Sequence, residues 1–281
     1  MREPEFDPLY APTYHLRLSI GTEGVSYIIK NADGKLIVWE THTWENRLPV
    51  TQLHKRLQGL VRQDAVLQHR YASVSVAIAT GHTVLVPNDW LAPNDSPNDN
   101  PNDVTAYFEN TTGEDLQEQV VLHDSIANYN LQALYALPKP LESAIKTCFP
   151  QGKTEHSNRA ILAAVHRAAT ERAQLCVYAF VRAGNVTIAV AEPEKLWLLN
   201  TYSYQTTKDF LYFILLAYQQ LHLNADRTPL ILAGELVQDS DIYRVLRAYI
   251  KNIAWAKPPE NTLGILAQAE LQPHFLNDLL F

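Results

Sequence analysis

Only two cysteines, Cys148 and Cys176, occur in the 281 residues. Two are too few for a disulfide framework or a tetrahedral zinc set, so reduced, buried thiols are expected. No stretch approaches the ~20 apolar residues that span a bilayer. The opening MREPEFDPLYAPTY lacks the apolar core of a signal peptide, and the cytosol is the expected location. Clusters of Lys and Arg are missing too, and the formal net charge is −7. A surface for duplex DNA or an anionic membrane needs the opposite sign, so neither a nucleic-acid partner nor membrane insertion is expected. There is no Gly-x-Ser-x-Gly elbow and no Walker loop. His156 and His166 lie too far apart on one predicted helix to form an i, i+4 metal pair. No catalytic residue and no metal ligand is therefore assigned. What remains is ordinary globular composition, 47% apolar and 19% charged, enough for a sizeable core in one large or two ordinary domains.

The stretch HLRLSIGTEGVSYIIKNADGKLIV, His15 to Val38, reads as strand, tight turn, strand, tight turn, strand. Leu16, Leu18 and Ile20 alternate with Arg17 and Ser19, a period of two. Asp33-Gly34 is a hairpin signal, because both residue types tolerate positive φ. Leu53, Leu57, Leu60 and Val61 then recur at helix spacing, followed by a buried strand at Ala72 to Thr80 and a short one in HTVLVP. Pro-Asn-Asp starts at Pro87, Pro93, Pro97 and Pro101. Proline blocks ladder pairing and Asn and Asp close local turns, so residues 92–103 should form an exposed loop. That loop lacks the glycine and terminal glutamate of an EF-hand, and calcium is not expected there. VTAYFENTT and EQVVLHDSI read as paired strands, and YNLQALYALP as another. Pro138 and Pro140 open a helix through Cys148, and His156 to Ala173 forms a further helix with Asn158 as its cap.

The opening pattern then returns. LCVYAFVRAGNVTIAVAEPEKLWLLNTYSY is again strand, turn, strand, turn, strand. A helix capped by Thr206 or Thr207, a short strand in PLILAGEL, and a helix capped by Ser240 or Asp239 follow. The chain thus holds two copies of one α/β plan. Hairpins make three strands antiparallel, and a helical crossover makes the next one parallel. Two five-stranded mixed sheets flanked by helices are expected, in lobes covering residues 1–152 and 153–281.

A duplicated plan of this kind resembles the ribonuclease H-like fold. With a phosphate-type loop in each half it resembles the actin-like ATPase superfamily, and most nearly its cell-division and pilus-assembly members. Their first loop reads roughly Leu-Asp-Ile-Gly-Thr-x-x-Val. Here the stretch is Leu18-Ser19-Ile20-Gly21-Thr22-Glu23-Gly24-Val25, with Ser19 where the acid belongs. Their second loop reads roughly Val-Asp-Ile-Gly. Here it is Val177-Tyr178-Ala179-Phe180, followed by Arg182 and Gly184. Their adenosine-side strand ends in paired glycines, whereas Gly234 here is followed by Glu235. The whole chain also resembles an uncharacterised bacterial family assigned to the actin-like fold, in features such as LYALPKPLESAI and LAGELVQDSDIYRVLRAYI.

The resemblance implies that Ser19, Gly21, Thr22, Gly24, Tyr178, Phe180, Arg182, Gly234 and Glu235 mark a degenerate nucleotide cleft. In the ATPases the two loop acids organise hydrated Mg²⁺, and losing one electrostatic contact of this kind lowers a rate by ~10²–10³. A plain hairpin is the expected role of Gly21 to Gly24, and core filling that of Tyr178 and Phe180. The implied protein has no catalysis and no cofactor, and acts on a protein partner. Two alternatives stand beside it. One is a nucleotide-binding protein or ATPase that takes ATP and Mg²⁺ with other acids, such as Asp209, Glu235 or Asp239. The other is a small-molecule binding module using an inter-lobe cleft refilled with aromatics.

Overall fold

The computed structural model describes residues 6–79, 81–90, 104–182, 184–257 and 279. The Pro-Asn-Asp stretch at 92–103 lies outside the described residues. In chain order the regular elements begin with β1 (His15–Ile20), β2 (Gly24–Lys30), β3 (Leu36–Thr43), α1 (Leu53–Gln63), β4 (Ser73–Ile78) and β5 (Thr83–Pro87). Then come α2 (Val104–Thr112), β6 (Gln119–Ile126), β7 (Leu131–Pro138), α3 (Lys139–Cys148), β8 (Lys153–His156) and α4 (Asn158–Arg172). The last are β9 (Cys176–Arg182), β10 (Asn185–Glu192), β11 (Lys195–Ser203), α5 (Thr207–Gln220), β12 (Leu230–Gly234), α6 (Asp241–Tyr249) and β13 (Ile253–Trp255).

Two five-stranded sheets have the same order, β3-β2-β1-β4-β8 and β11-β10-β9-β12-β13. In each, the hairpin strands are antiparallel and the crossover strands parallel. The period of two decides which side chains share a face. Leu16, Leu18 and Ile20 of β1 pack with Leu53 and Leu57 of α1 and Leu141 and Ile145 of α3. Val177, Ala179 and Val181 of β9 pack with Phe210 and Ile214 of α5 and Leu246 of α6. Burying each such side chain contributes roughly 1.5–3 kcal/mol, so these two cores hold the sheets to their helices. α5 starts at a capping box, in which Thr206 accepts from Asp209 N and the Asp209 carboxylate accepts from Thr206 N. Ser240 caps α6, accepting from Tyr243 N.

The structure differs from the sequence reading in three places. Residues 104–112, expected as a strand, form α2, because Val104, Tyr107 and Phe108 fall at helix spacing and Phe108 alone is fully buried. β6 pairs instead with β7, and β5 joins them in a third sheet of order β5-β7-β6. The turn between β6 and β7 closes with Asn130 in the left-handed region. Finally, residues 153–156 are a strand of the first sheet, paired with β4. The chain divides into two compact units at Arg159 and Ala160, so residues 153–159 belong with the first unit and not the second. Both cysteines are free thiols; Cys176 is buried and Cys148 half-buried.

One buried carboxylate ties the third sheet to the first. Asp124 of β6 accepts a hydrogen bond from the backbone N of His156 at 2.6 Å. Burial pushes its pKa up to about 6, against the pull of that N–H, and the Glu155 charge adds to the rise. The folded-state pKa therefore lies above the unfolded value near 3.8. The folded protein takes the proton first, so the stabilisation is complete below pH ~4 and is lost as pH rises through ~6. The loss amounts to about 2–3 kcal/mol across that window. Asp124→Asn keeps a carbonyl acceptor without the charge. In urea denaturation it should match wild type near pH 4 and exceed it at pH 7.5. Parallel pH profiles for the two proteins would refute this.

Candidate functional site

The turn between β1 and β2 is closed by its own backbone. Gly21 N donates to Gly24 O at 2.9 Å, and Gly24 N to Gly21 O at 3.3 Å. Segment 44–48 braces it from one side: Trp44 N donates to Glu23 O and Leu48 N to Thr22 O, both at 2.8 Å. The Thr22 hydroxyl accepts from Arg47 Nε at 3.0 Å and donates to Glu23 Oε1 at 3.0 Å. Arg47 Nη2 also lies 3.3 Å from Glu23 Oε1. The hydroxyl of a phosphate-type loop is thus held by the chain itself. Gly24 has a structural reason as well. A Cβ there would lie 2.3 Å from the carbonyl oxygen of His42 on β3.

The second unit repeats this frame in register. Ile20 pairs with Val25, and Val181 with Val186. Ala79 N donates to Ile20 O and Glu235 N to Val181 O, both at 2.8 Å. Even a cross-strand hydroxyl pair recurs, Ser26 with Thr41 and Thr187 with Thr201. By this register Ser19 corresponds to Phe180, Arg17 to Tyr178, and Gly21 to Arg182. Sequence alignment alone set Tyr178 opposite Ser19; strand pairing shifts the correspondence by two residues along the same face of β9.

Three of these side chains are closed to water, while Arg17 and Arg182 are partly exposed. Ser19 is 3% exposed, Tyr178 1% and Phe180 4%. Tyr178 borders a small pocket with Ala164, Ala168, Ile231 and Trp255. The Arg182 guanidinium lies 5.4 Å from the centre of the Phe180 ring. Gly234 has φ +85°, and a Cβ there would lie 2.0 Å from Val181 O. Its glycine is demanded by the pairing of β12 with β9, whatever else it once served. Glu235 is exposed, and its charge contributes, after burial, to raising the Tyr204 phenol. Asp209 is committed to the α5 cap, whose backbone N–H donors hold its carboxyl below the usual range.

A buried ion network shares the face of Ser19, and sequence spacing gave no sign of it. Glu155 of β8 lies 2.7 Å from Arg17 Nη2 and 2.7 Å from Arg159 Nη1, and accepts from Ser75 Oγ at 2.9 Å. Its side chain is 2% exposed. Ser19 is in register with Ala77, and Ala77 with Glu155, so this carboxylate sits two strands away on Ser19's row. Arg17 and Ser75 are 138 and 80 residues from Glu155 in sequence, which is why only the folded sheet brings them to it.

Residues 3–253 match DUF3822, described as a protein of unknown function. The chain belongs to the DUF3822 family. Among curated proteins nothing matches it. A solved structure from Bacteroides thetaiotaomicron, a protein with actin-like ATPase fold and unknown function, is similar at TM-score 0.75 and 18% identity. The match covers 95% of this chain and 99% of that one. A structure of the PilM-PilN type IV pilus biogenesis complex matches at TM-score 0.60 and 11% identity, covering 95% and 96%. This DUF3822 chain therefore has the actin-like ATPase fold.

Removing one partner from a buried ion network leaves the others uncompensated, at a cost of about 3–5 kcal/mol. Glu155→Gln should lower the unfolding free energy by about 3 kcal/mol, since Arg159 is partly exposed and can rehydrate. Chemical denaturation measures it, and a loss below about 1 kcal/mol, the value of a solvent-screened pair, would contradict the buried network.

Proposed function

We propose that this DUF3822 protein is an actin-fold protein without nucleotide turnover, whose role is to bind another protein. The observation that carries the reading is the lack of a carboxylate at either position where the fold would anchor Mg²⁺. Ser19 occupies one and Phe180, the register counterpart, the other. The alignment counterpart, Tyr178, is no better, because a phenol is neutral at pH 7.

The remaining groups support the same reading. The carboxylate on Ser19's row, Glu155, is neutralised by Arg17 and Arg159. The Thr22 hydroxyl accepts from Arg47. Arg182 stands where the first turn has Gly21, and its side chain covers Phe180. Mg²⁺ is held through carboxylates, waters and phosphates, and these positions supply no carboxylate for it. The likeness to PilM, which is found in a complex with PilN, supports a protein partner for a fold of this type. The compartment we favour is the cytoplasm; no described helix is long and apolar enough to cross a membrane.

Two measurements test the two halves of the proposal. With Mg-ATP up to about 5 mM, the full chain should show no rise in melting temperature and no phosphate release, because a ligand specific for the folded state stabilises it by mass action. A saturable rise would overturn the degenerate-site half. Cross-linking in the source cell should trap a protein neighbour reproducibly. A chain recovered only by itself would overturn the interaction half.

A further inference from the structure

The Glu40, His42 and Asp64 side chains meet on the helix-covered face of the first sheet, at its edge. Glu40 and His42 are two apart on β3, so the strand period turns both the same way. Asp64 follows the last turn of α1 and opens the short 3₁₀ turn Ala65–Gln68. His42 Nε2 lies 3.7 Å from Glu40 Oε2 and 3.8 Å from Asp64 Oδ2. The three donor atoms fit within 4.8 Å of one another. No hydrogen bond from a described residue reaches that nitrogen, and the atom itself is shut off from solvent.

The surroundings are built to hold these atoms. Asp64 Oδ1 accepts from Val66 N at 3.0 Å, which leaves Oδ2 aimed at the cluster. The Tyr27 hydroxyl lies 2.5 Å from Asp64 Oδ2 and 2.8 Å from Glu40 Oε2. A phenol has one proton, so it satisfies one of these oxygens at a time. The His42 ring stacks beside Tyr27 at 6.0 Å between centroids. The side chain of His42 is 35% exposed, against 18% for Glu40 and 6% for Asp64, which makes the histidine the side of entry.

An imidazole nitrogen with two carboxylate oxygens is a donor set that first-row divalent ions accept. Metal–ligand bonds of about 2.0–2.2 Å place neighbouring ligands roughly 3–3.5 Å apart, so the two distances from His42 have to close by only a few tenths of an ångström. We propose that Glu40 Oε2, His42 Nε2 and Asp64 Oδ2 form a divalent-cation site of the zinc class. Tyr27 holds the carboxylates from behind and water completes the shell. The ion links the edge strand β3 to the end of α1. The site lies wholly in the first unit and does not depend on the nucleotide reading.

The test uses the full chain, stripped with a chelator and titrated with Zn²⁺ in a calorimeter. One ion should bind per chain and raise the melting temperature. His42→Gln and Glu40→Gln should each weaken binding by at least ~10-fold and remove the thermal shift, while melting near wild type without metal. Asp64→Asn also loses part of its hold on Val66, so the other two variants decide. Absence of saturable binding would overturn the site. So would equal affinity in wild type and both variants, which would assign the ion to surface groups such as the His82–Glu114 pair. A third contrary outcome is a His42 ring that titrates as an imidazolium between the carboxylates and is unmoved by Zn²⁺ in NMR spectra.

Discussion

Everything in each sheet is organised around a central strand that water does not reach. β9 is buried at every residue but its last, and β1 from Leu18 onward. Such a strand is gripped on one side by an antiparallel hairpin partner and on the other by a parallel crossover partner. Its side chains on both faces must then be apolar, hydrogen-bonded or ion-paired, because an isolated buried charge costs several kcal/mol. A carboxylate at the end of such a strand is tolerated only where a cation or a set of donors meets it. The first unit resolves this with Ser19 and, further back on the same face, the Arg17–Glu155–Arg159 network. The second unit resolves it by removing polarity, with Tyr178 and Phe180 in the corresponding places. One frame is thus kept while its interior chemistry diverges between the copies.

Much of that frame was legible in the sequence because its signals are local. The alternation of Leu16, Leu18 and Ile20, the Asp33-Gly34 turn and the Thr206 cap each involve residues within a few positions of one another. The three-strand, helix, strand plan written twice also followed from local periodicity. What was lost is non-local or finely balanced. β8 and β13 are four and three residues long, too short to show a period, and only pairing with β4 and β12 makes them strands. In 104–112 the β-branched and aromatic residues argued for a strand, but packing of Phe108 against Val86 and Leu134 decided for a helix. The third sheet was invisible for the same reason: its order depends on which neighbours meet.

The candidate site divides along the same line. Residue types at the first loop were readable directly, and the absence of an acid at Ser19 was the informative feature. The second loop admits two alignments, since Val177-Tyr178-Ala179-Phe180 and Ala179-Phe180-Val181-Arg182 are both mostly apolar runs without an acid. Only the ladder, with Val181 opposite Val186 and Gly234, distinguishes them. The glycines carry a further lesson. Gly24 and Gly234 look like relics of phosphate contact, yet each is required by a backbone within 2.3 Å and 2.0 Å of where a Cβ would stand. A glycine in such a motif testifies to close approach, and the approaching atom here is the protein's own carbonyl.

Under the reading proposed above, the two turns show how a nucleotide fold stays stable without its ligand. In the first loop Arg47 and Glu23 hold the Thr22 side chain, while Leu48 N takes its carbonyl. In the second, Phe180 and Arg182 pack on each other. Both turns engage their side chains in internal contacts. On that reading, placing one acid would not confer binding. An aspartate at residue 180 would be buried beside Ala233 of β12 and would meet Arg182, a cation that would neutralise it internally. On the proposed reading, Mg²⁺ binding would require the arginine, the aromatic ring and the braced hydroxyl to change together.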